Sequence, residues 1–203
     1  MNKYNTIIWL LPIVFMIHDF EEIIFFKPWI IKNKDFLKER FPKITKRFLV
    51  RFDSLSTSAF ALAVAEEFVL LSLITVGSVL FDNYLLWLAA FMGFFVHLLV
   101  HMAQWIILKR YIPAIWTTFL ALIYCTYSLY GIIADNLFQI TEIVLWTITG
   151  LGLVGVNLVF AHKLAEKFDK RQKYDRAGWI HNSVENDKEL KELKIEYKPS
   201  ERT

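Results

Sequence analysis

Residues 89–108 read AAFMGFFVHLLVHMAQWIIL, twenty residues whose only ionisable side chains are His97 and His101. At about 1.5 Å per helical residue, such a run crosses a hydrocarbon core of about 30 Å. Runs of the same character lie on either side. We expect transmembrane helices over about 4–26, 57–80, 84–108, 112–134 and 139–162. Asp82-Asn83, Lys109-Arg110 with Pro113, and Asp135-Asn136 supply the short breaks, with Pro113 expected just inside a helix start.

Composition agrees. The 203 residues are 56% hydrophobic with a mean hydropathy of +0.39, whereas a soluble domain is about 45–50% apolar. The fold class is therefore all-α, a polytopic membrane bundle. Cys125 is the single cysteine, which excludes an internal disulfide and a cysteine-based metal cluster. The first apolar run carries His and Glu where a signal peptide needs small residues, so no cleaved leader is expected. The pI near 8.9 reflects Lys and Arg in connections and tail. In such a chain these residues set topology and meet anionic lipid headgroups, so membrane lipid is the expected partner and nucleic acid is not.

The connection 27–56 carries Lys27, Lys32, Lys34, Lys38, Arg40, Lys43, Lys46, Arg47 and Arg51; the next has only Asp82. The third has Lys109 and Arg110, the fourth Asp135, and the tail opens Lys163, Lys167, Lys170, Arg171. Basic and non-basic connections alternate. Five spans in a cytoplasmic membrane, with the amino terminus outside and the carboxyl terminus inside, satisfy the positive-inside rule at each turn. Within 30–52, Phe36, Leu37, Phe41, Ile44, Phe48 and Leu49 recur at helical spacing among basic residues. That pattern predicts an interfacial amphipathic helix, broken near Pro42, against anionic headgroups. The expected organisation is a membrane domain over 1–165 and a charged cytoplasmic tail over 166–203, with a short helix to about Tyr174 and loose order after Trp179.

Charge is costly in hydrocarbon, and ionisable residues there face the bundle interior. His18-Asp19-Phe20-Glu21-Glu22 closes the first run, Glu66-Glu67 interrupts AFALAVAEEFVLLSLI (59–74), and His97 and His101 sit in the third helix. Counted from the cytoplasmic ends, His18 and Glu22 lie at about 6–12 Å, Glu66 and Glu67 at about 14 Å, and His101 and His97 at about 12 and 18 Å. All fall in one slab of the inner leaflet. Spacings of three and four put His18, Glu21 and Glu22 on one face, and Gly93, His97, His101 and Gln104 on another, with Gly93 admitting a neighbouring helix. Imidazole and carboxylate on facing helices are how bundles hold divalent metals. The expected ligands are His18, Glu22, His97 and His101, with zinc the first choice. Glu21, Glu66 and Glu67 are the candidates for acid–base work. Gln104, Asn157 and His162 are the candidates for outer contacts.

HDFEE at the end of a first span, then AVAEE, the HLLVHMAQ helix leading into KRYIPA, and a late histidine resemble the bacterial HXXEE-domain family over most of residues 7–165. The motif maps onto His18, Glu21 and Glu22, a further histidine onto His97 or His101, and the late one onto His162. The family has no assigned function, so the resemblance implies a membrane domain with an active or metal site and names no substrate. A fainter likeness is to the glutamate intramembrane proteases. There the chain departs from the pattern: Glu66-Glu67 runs into Phe68-Val69-Leu70-Leu71 where arginine is expected, and Gly93 stands where phenylalanine is expected.

Four functions fit these residues. A membrane-embedded metal-dependent hydrolase of a lipid or lipid-linked substrate leads. A proton- or metal-coupled carrier would use the same side chains as a relay, although no internal repeat is visible. A metal-free acid–base isomerase is a third. A structural subunit whose His–Glu hydrogen bonds join helices is the fourth, and such bonds average only about 0.6 kcal/mol.

Overall fold

The short polar breaks of the sequence are where the helices end. The structure, a computed structural model, describes residues 3–43, 45 and 55–196. It consists of α1 (Lys3–Arg40), α2 (Thr57–Leu80), α3 (Leu85–Leu108), α4 (Ile115–Ala134) and α5 (Ile140–Glu196), with no strand among the described residues. Asp82, Lys109 and Asn136 each take a left-handed backbone conformation that turns the chain. α2, α3, α4 and α5 (within Ile140–Arg176) are long and apolar enough to cross a membrane. α1 carries the HDFEE charges and is not among those four. Its outer face is nonetheless apolar: Trp9, Ile13, Ile17, Phe20 and Ile24, spaced by three and four, are exposed, while His18, Asp19 and Glu21 are buried.

α3 touches all four other helices. Around it the order is α1, α2, α5, α4, with α1 returning to α4. Glycines bring α3 and α5 together: a Cβ on Gly150 would fall on the Ala89 carbonyl oxygen, and one on Gly93 would meet Val154 Cγ2 at 3.0 Å. The expected close approach at Gly93 is thus made by α5. Beyond this crossing the two helices part. Leu108 of α3 packs on Ile30 and Leu37 of α1, whereas Ala161 and Ala165 of α5 pack on Ala59 and Ala63 of α2. The divergence leaves a space between them.

Three boundaries differ from the sequence expectation. α1 does not stop near residue 26 but runs unbroken to Arg40, through Pro28. Backbone bonds from Phe41 to Leu37 and from Thr45 to Phe41 carry the turn on, and the Arg110 guanidinium lies 3.8 Å over the Phe36 ring. The expected amphipathic segment is, as far as Arg40, the second half of α1; Ile44, Phe48 and Leu49 lie outside the described residues. Pro113 precedes α4 rather than entering it, with Ala114 as the cap residue. α5 continues to Glu196 rather than ending near Tyr174. Asp169 Oδ1 accepts the Ser56 N–H at the start of α2 (3.2 Å), and Gln172 accepts from the Ser58 hydroxyl (3.0 Å). The hydrogen bond from Lys173 holds the Asp169 carboxyl below the usual aspartate range.

Pro12 leaves a signature in the amino-terminal half of α1. Having no N–H, it frees the carbonyl of Ile8 four residues earlier. The Trp87 indole donates to that carbonyl (3.3 Å), and the Tyr124 hydroxyl donates to the adjacent Ile7 carbonyl (2.8 Å).

Candidate functional site

Helical spacing on α1 and α3 aims three imidazoles at one point. His18 Nε2 is 3.3 Å from His97 Nε2, and His101 Nε2 is 3.0 Å from His97 Nε2. One ligand atom from each of His18, Glu22, His97 and His101 lies within 4.8 Å of the others. His18 is fully buried and His101 nearly so. Phe94 closes the cluster edge-on to His18.

The donor set and its spacing fit a transition metal. Ligands about 2.0 Å from a tetrahedral zinc stand about 3.3 Å apart; the His97–His18 and His97–His101 separations of 3.3 and 3.0 Å are close to this, and the remaining pairs lie within 4.8 Å. Lone pairs of neutral imidazoles aimed at one point repel unless a proton or cation lies between them. Three histidines favour zinc over calcium or magnesium, which prefer all-oxygen shells.

Glu21 faces the other way. Tyr111 donates its hydroxyl to Oε1 (2.9 Å); the Thr117 N–H (2.9 Å) and hydroxyl (2.8 Å) donate to Oε2. α4 has no side-chain cap of its own at Ala114, so the Glu21 carboxylate serves its first turn from α1. The same Thr117 oxygen lies 3.4 Å from His18 Nδ1. A His18 that binds through Nε2 would carry its proton on Nδ1, directed to Thr117 and through it to Glu21. Burial first, then the bond to Glu21 and its charge, push the Tyr111 phenol up to about 12.

Glu22 and Glu67 line a cavity of about 690 Å³, which is within the usual size of ligand sites. Its walls are mainly apolar side chains of α1, α2, α3 and α5. Asp19, His97, His101, Gln104, Asn157 and His162 also line it. Glu66 is turned to Asn157, whose amide donates to Oε2 at 3.2 Å. His162 stands in the middle of α5, Nδ1 at 2.6 Å from the Leu158 carbonyl oxygen, and does not join the other three histidines.

The expected ligand set is thus brought together, while the three glutamates named for acid–base work are separated. Glu67 is on the cavity, Glu66 is engaged by α5, and Glu21 is engaged by α4. Sequence reading missed Thr117, Tyr111 and Asp19. A signal existed for the first two: the stretch Ile112-Pro113-Ala114-Ile115 starts a helix with no Ser, Thr, Asp or Asn to cap it, so an acid from elsewhere had to. Asp19 is part of the HDFEE motif, three residues before Glu22 and on the same side of the helix.

An all-helical bundle with apolar spans and a buried His–Glu cluster defines a membrane protein that could hold a metal ion. Residues 9–130, well over half of the chain, match the family described as "Protein of unknown function with HXXEE motif". The chain belongs to that family, with His18, Glu21 and Glu22 as its motif. The matched region ends before α5, so Asn157 and His162 lie outside it. Neither a curated protein nor a solved structure matches the chain.

Proposed function

We propose that the protein is a metal-dependent hydrolase embedded in the cytoplasmic membrane, acting on a lipid or lipid-linked substrate drawn from the inner leaflet. One observation carries this reading: Glu22, His97 and His101 line a 690 Å³ cavity that is otherwise mostly apolar, and the buried His18 converges on them from behind that wall. A satisfied structural cluster would not need that space. Bound zinc supplies Lewis acidity and lowers the pKa of a water. His18, His97, His101 and Glu22 would hold it, and the site would have to open beyond these four ligands to admit the water. Glu67, on the same cavity, is the general base. Glu21 acts through Thr117 as a positioning residue that fixes the His18 tautomer. Phe94 and the apolar walls exclude bulk water and seat the chain of the substrate.

In this reading α1 is the fifth span. Its exposed apolar stripe from Trp9 to Ile24 faces lipid and its charges face inward, which satisfies the rule for ionisable groups in a membrane. The amino terminus lies outside and the basic connection after α1 inside. Reporter fusions after Ile31, Asn83, Arg110, Asn136 and Lys170 should alternate in location; two consecutive fusions on one side would refute the topology.

The functional test is metal analysis of the detergent-purified protein together with product release from inner-membrane lipid vesicles. The expected result is stoichiometric metal that survives dialysis, and release that stops with a chelator and returns with zinc. Folded, metal-free protein whose melting temperature ignores added zinc would refute it in favour of a proton relay or a structural role.

A further inference from the structure

The cavity has a charge pattern that the hydrolase reading does not require. Asp19, Glu22 and Glu67 all line it and lie within Coulomb range of one another. Among the described residues, no lysine or arginine lines it. The nearby Lys27 donates to the Leu55 carbonyl oxygen at 2.8 Å. Asp19 is 4% exposed and faces this space, and no described residue donates a hydrogen bond to it. Its neighbour Glu21, by contrast, has three donors. A buried carboxyl without a donor is expensive to ionise, and a cation placed beside it favours the charged form. With all three carboxyls ionised, a divalent ion on the three neutral imidazoles and Glu22 would offset two of the three negative charges and leave one for a second cation. Phe15, Phe26, Trp29 and Phe94 add aromatic faces, which attract ammonium groups. Where α3 and α5 part, Val100 and Leu158 line the cavity and yet are 48% and 41% exposed, so its mouth opens sideways.

We propose that the cavity takes a long-chain amphiphile with a cationic amine head, its chain along the apolar walls and its head against Asp19 and Glu67. This deepens the reading of the same cavity as a lipid site and rests on it. It does not rest on the metal. An amine head is favoured over an anionic head that carries no amine, which the acidic wall repels.

The test uses full-length protein in a neutral detergent, with metal content measured in each sample. Hexadecyltrimethylammonium, hexadecanol, hexadecyl phosphate and tetramethylammonium are compared by equilibrium binding and by shift in melting temperature. The expected order is the long-chain ammonium at least about tenfold tighter than the alcohol, with the phosphate weakest and tetramethylammonium undetected. The preference should fall to parity in Asp19→Asn/Glu67→Gln, while metal content is kept. Equal binding of alcohol and ammonium by the wild type, tighter binding of the phosphate, or no binding of any of the four would overturn the proposal, and none of these needs a variant to fold. Amine preference in protein that holds no metal would overturn the metal reading alone. Retained metal without amine preference would overturn this inference alone.

Discussion

Glu21 and Glu22 are adjacent on α1 and live in different surroundings. Glu21 looks toward α4, where two hydroxyls and a backbone N–H meet it. Glu22 looks into the cavity, where its nearest company is three histidines and two more carboxylates. The α1–α4 side of the molecule is closed polar chemistry. The side facing α2, α3 and α5 is open polar chemistry. The amino-terminal half of α1 repeats the closed pattern, since the carbonyl that Pro12 frees is taken up by Trp87. A membrane bundle satisfies the polar groups it uses for structure because lipid offers them no partner. Groups left unsatisfied next to a void are those kept for a ligand, which is why the contrast between neighbouring glutamates says more than their shared membership of a motif.

The largest effect should come from breaking the open side. His101→Ala or His18→Ala removes one of four converging ligands, and metal affinity should fall by more than the roughly 10–100-fold that a lost outer partner costs. Metal content after dialysis reads this directly. Stoichiometric metal retained in both variants would mean that the three imidazoles are not ligands and that the two sides differ only in packing.

Exchanging the neighbours comes next. Glu21→Gln loses charge-assisted bonds at the start of α4, a cost of about 2–3 kcal/mol in stability, with metal stoichiometry largely kept. Glu22→Gln should do the reverse: weaker metal binding, and a melting temperature of the metal-free protein that is unchanged or raised, because a buried charge is removed. If Glu21→Gln also strips the metal while the fold holds, Glu21 belongs to the site itself. Tyr111, in the link between α3 and α4, reports on the same pair. Its raised folded pKa means that its contribution to stability is whole below about pH 10 and is lost as pH rises through about 12. In Glu21→Gln the phenol should titrate lower.

Much of this contrast could be read from the chain, and the remainder could not for definite reasons. The breaks at Asp82-Asn83, Lys109-Arg110 and Asp135-Asn136 were plain because charge and turn residues interrupt apolar runs. The convergence of His18, Glu22, His97 and His101 was plain because spacings of three and four on helices at one depth leave few other arrangements. The role of Glu21 was not, since period alone puts it on the face of His18 and Glu22; the direction of each side chain depends on which helix packs beside it. Glu66 and Glu67, about 100° apart, raised the same ambiguity, and Asn157 on α5 settled it by drawing Glu66 away. The continuity of α1 through Pro28 was hidden because a proline among basic residues reads locally as a helix end, whereas packing of Ile30 and Leu37 carries the helix on.

A smaller effect tests whether the closed side tunes the open one. Thr117→Val keeps the backbone N–H to Glu21 but deletes the hydroxyl between Glu21 and His18 Nδ1. Metal affinity should drop about tenfold, as for other lost outer partners. Thr117→Ser should restore it. Unchanged affinity in Thr117→Val would confine Thr117 and Glu21 to holding α4.

The smallest effect lies in the amino-terminal half of α1 and isolates the rule behind the contrast. In Trp87→Phe the Ile8 carbonyl loses its donor, and Pro12 has no N–H to replace it. With no water at that depth, the loss should destabilise the protein by about 1 kcal/mol beyond the smaller ring's lost packing. Pro12→Ala returns a backbone N–H to the same carbonyl, so the double variant should recover that part, and a double-mutant cycle separates it from the packing term. Metal content and amine binding should not change in any of the three proteins, because the site lies more than a helical turn away. A cycle with zero coupling would mean that Trp87 is held by its stacking on Phe91 alone, and that a freed carbonyl in this bundle can go without a partner. Donor satisfaction would then no longer separate the structural glutamate from the functional one.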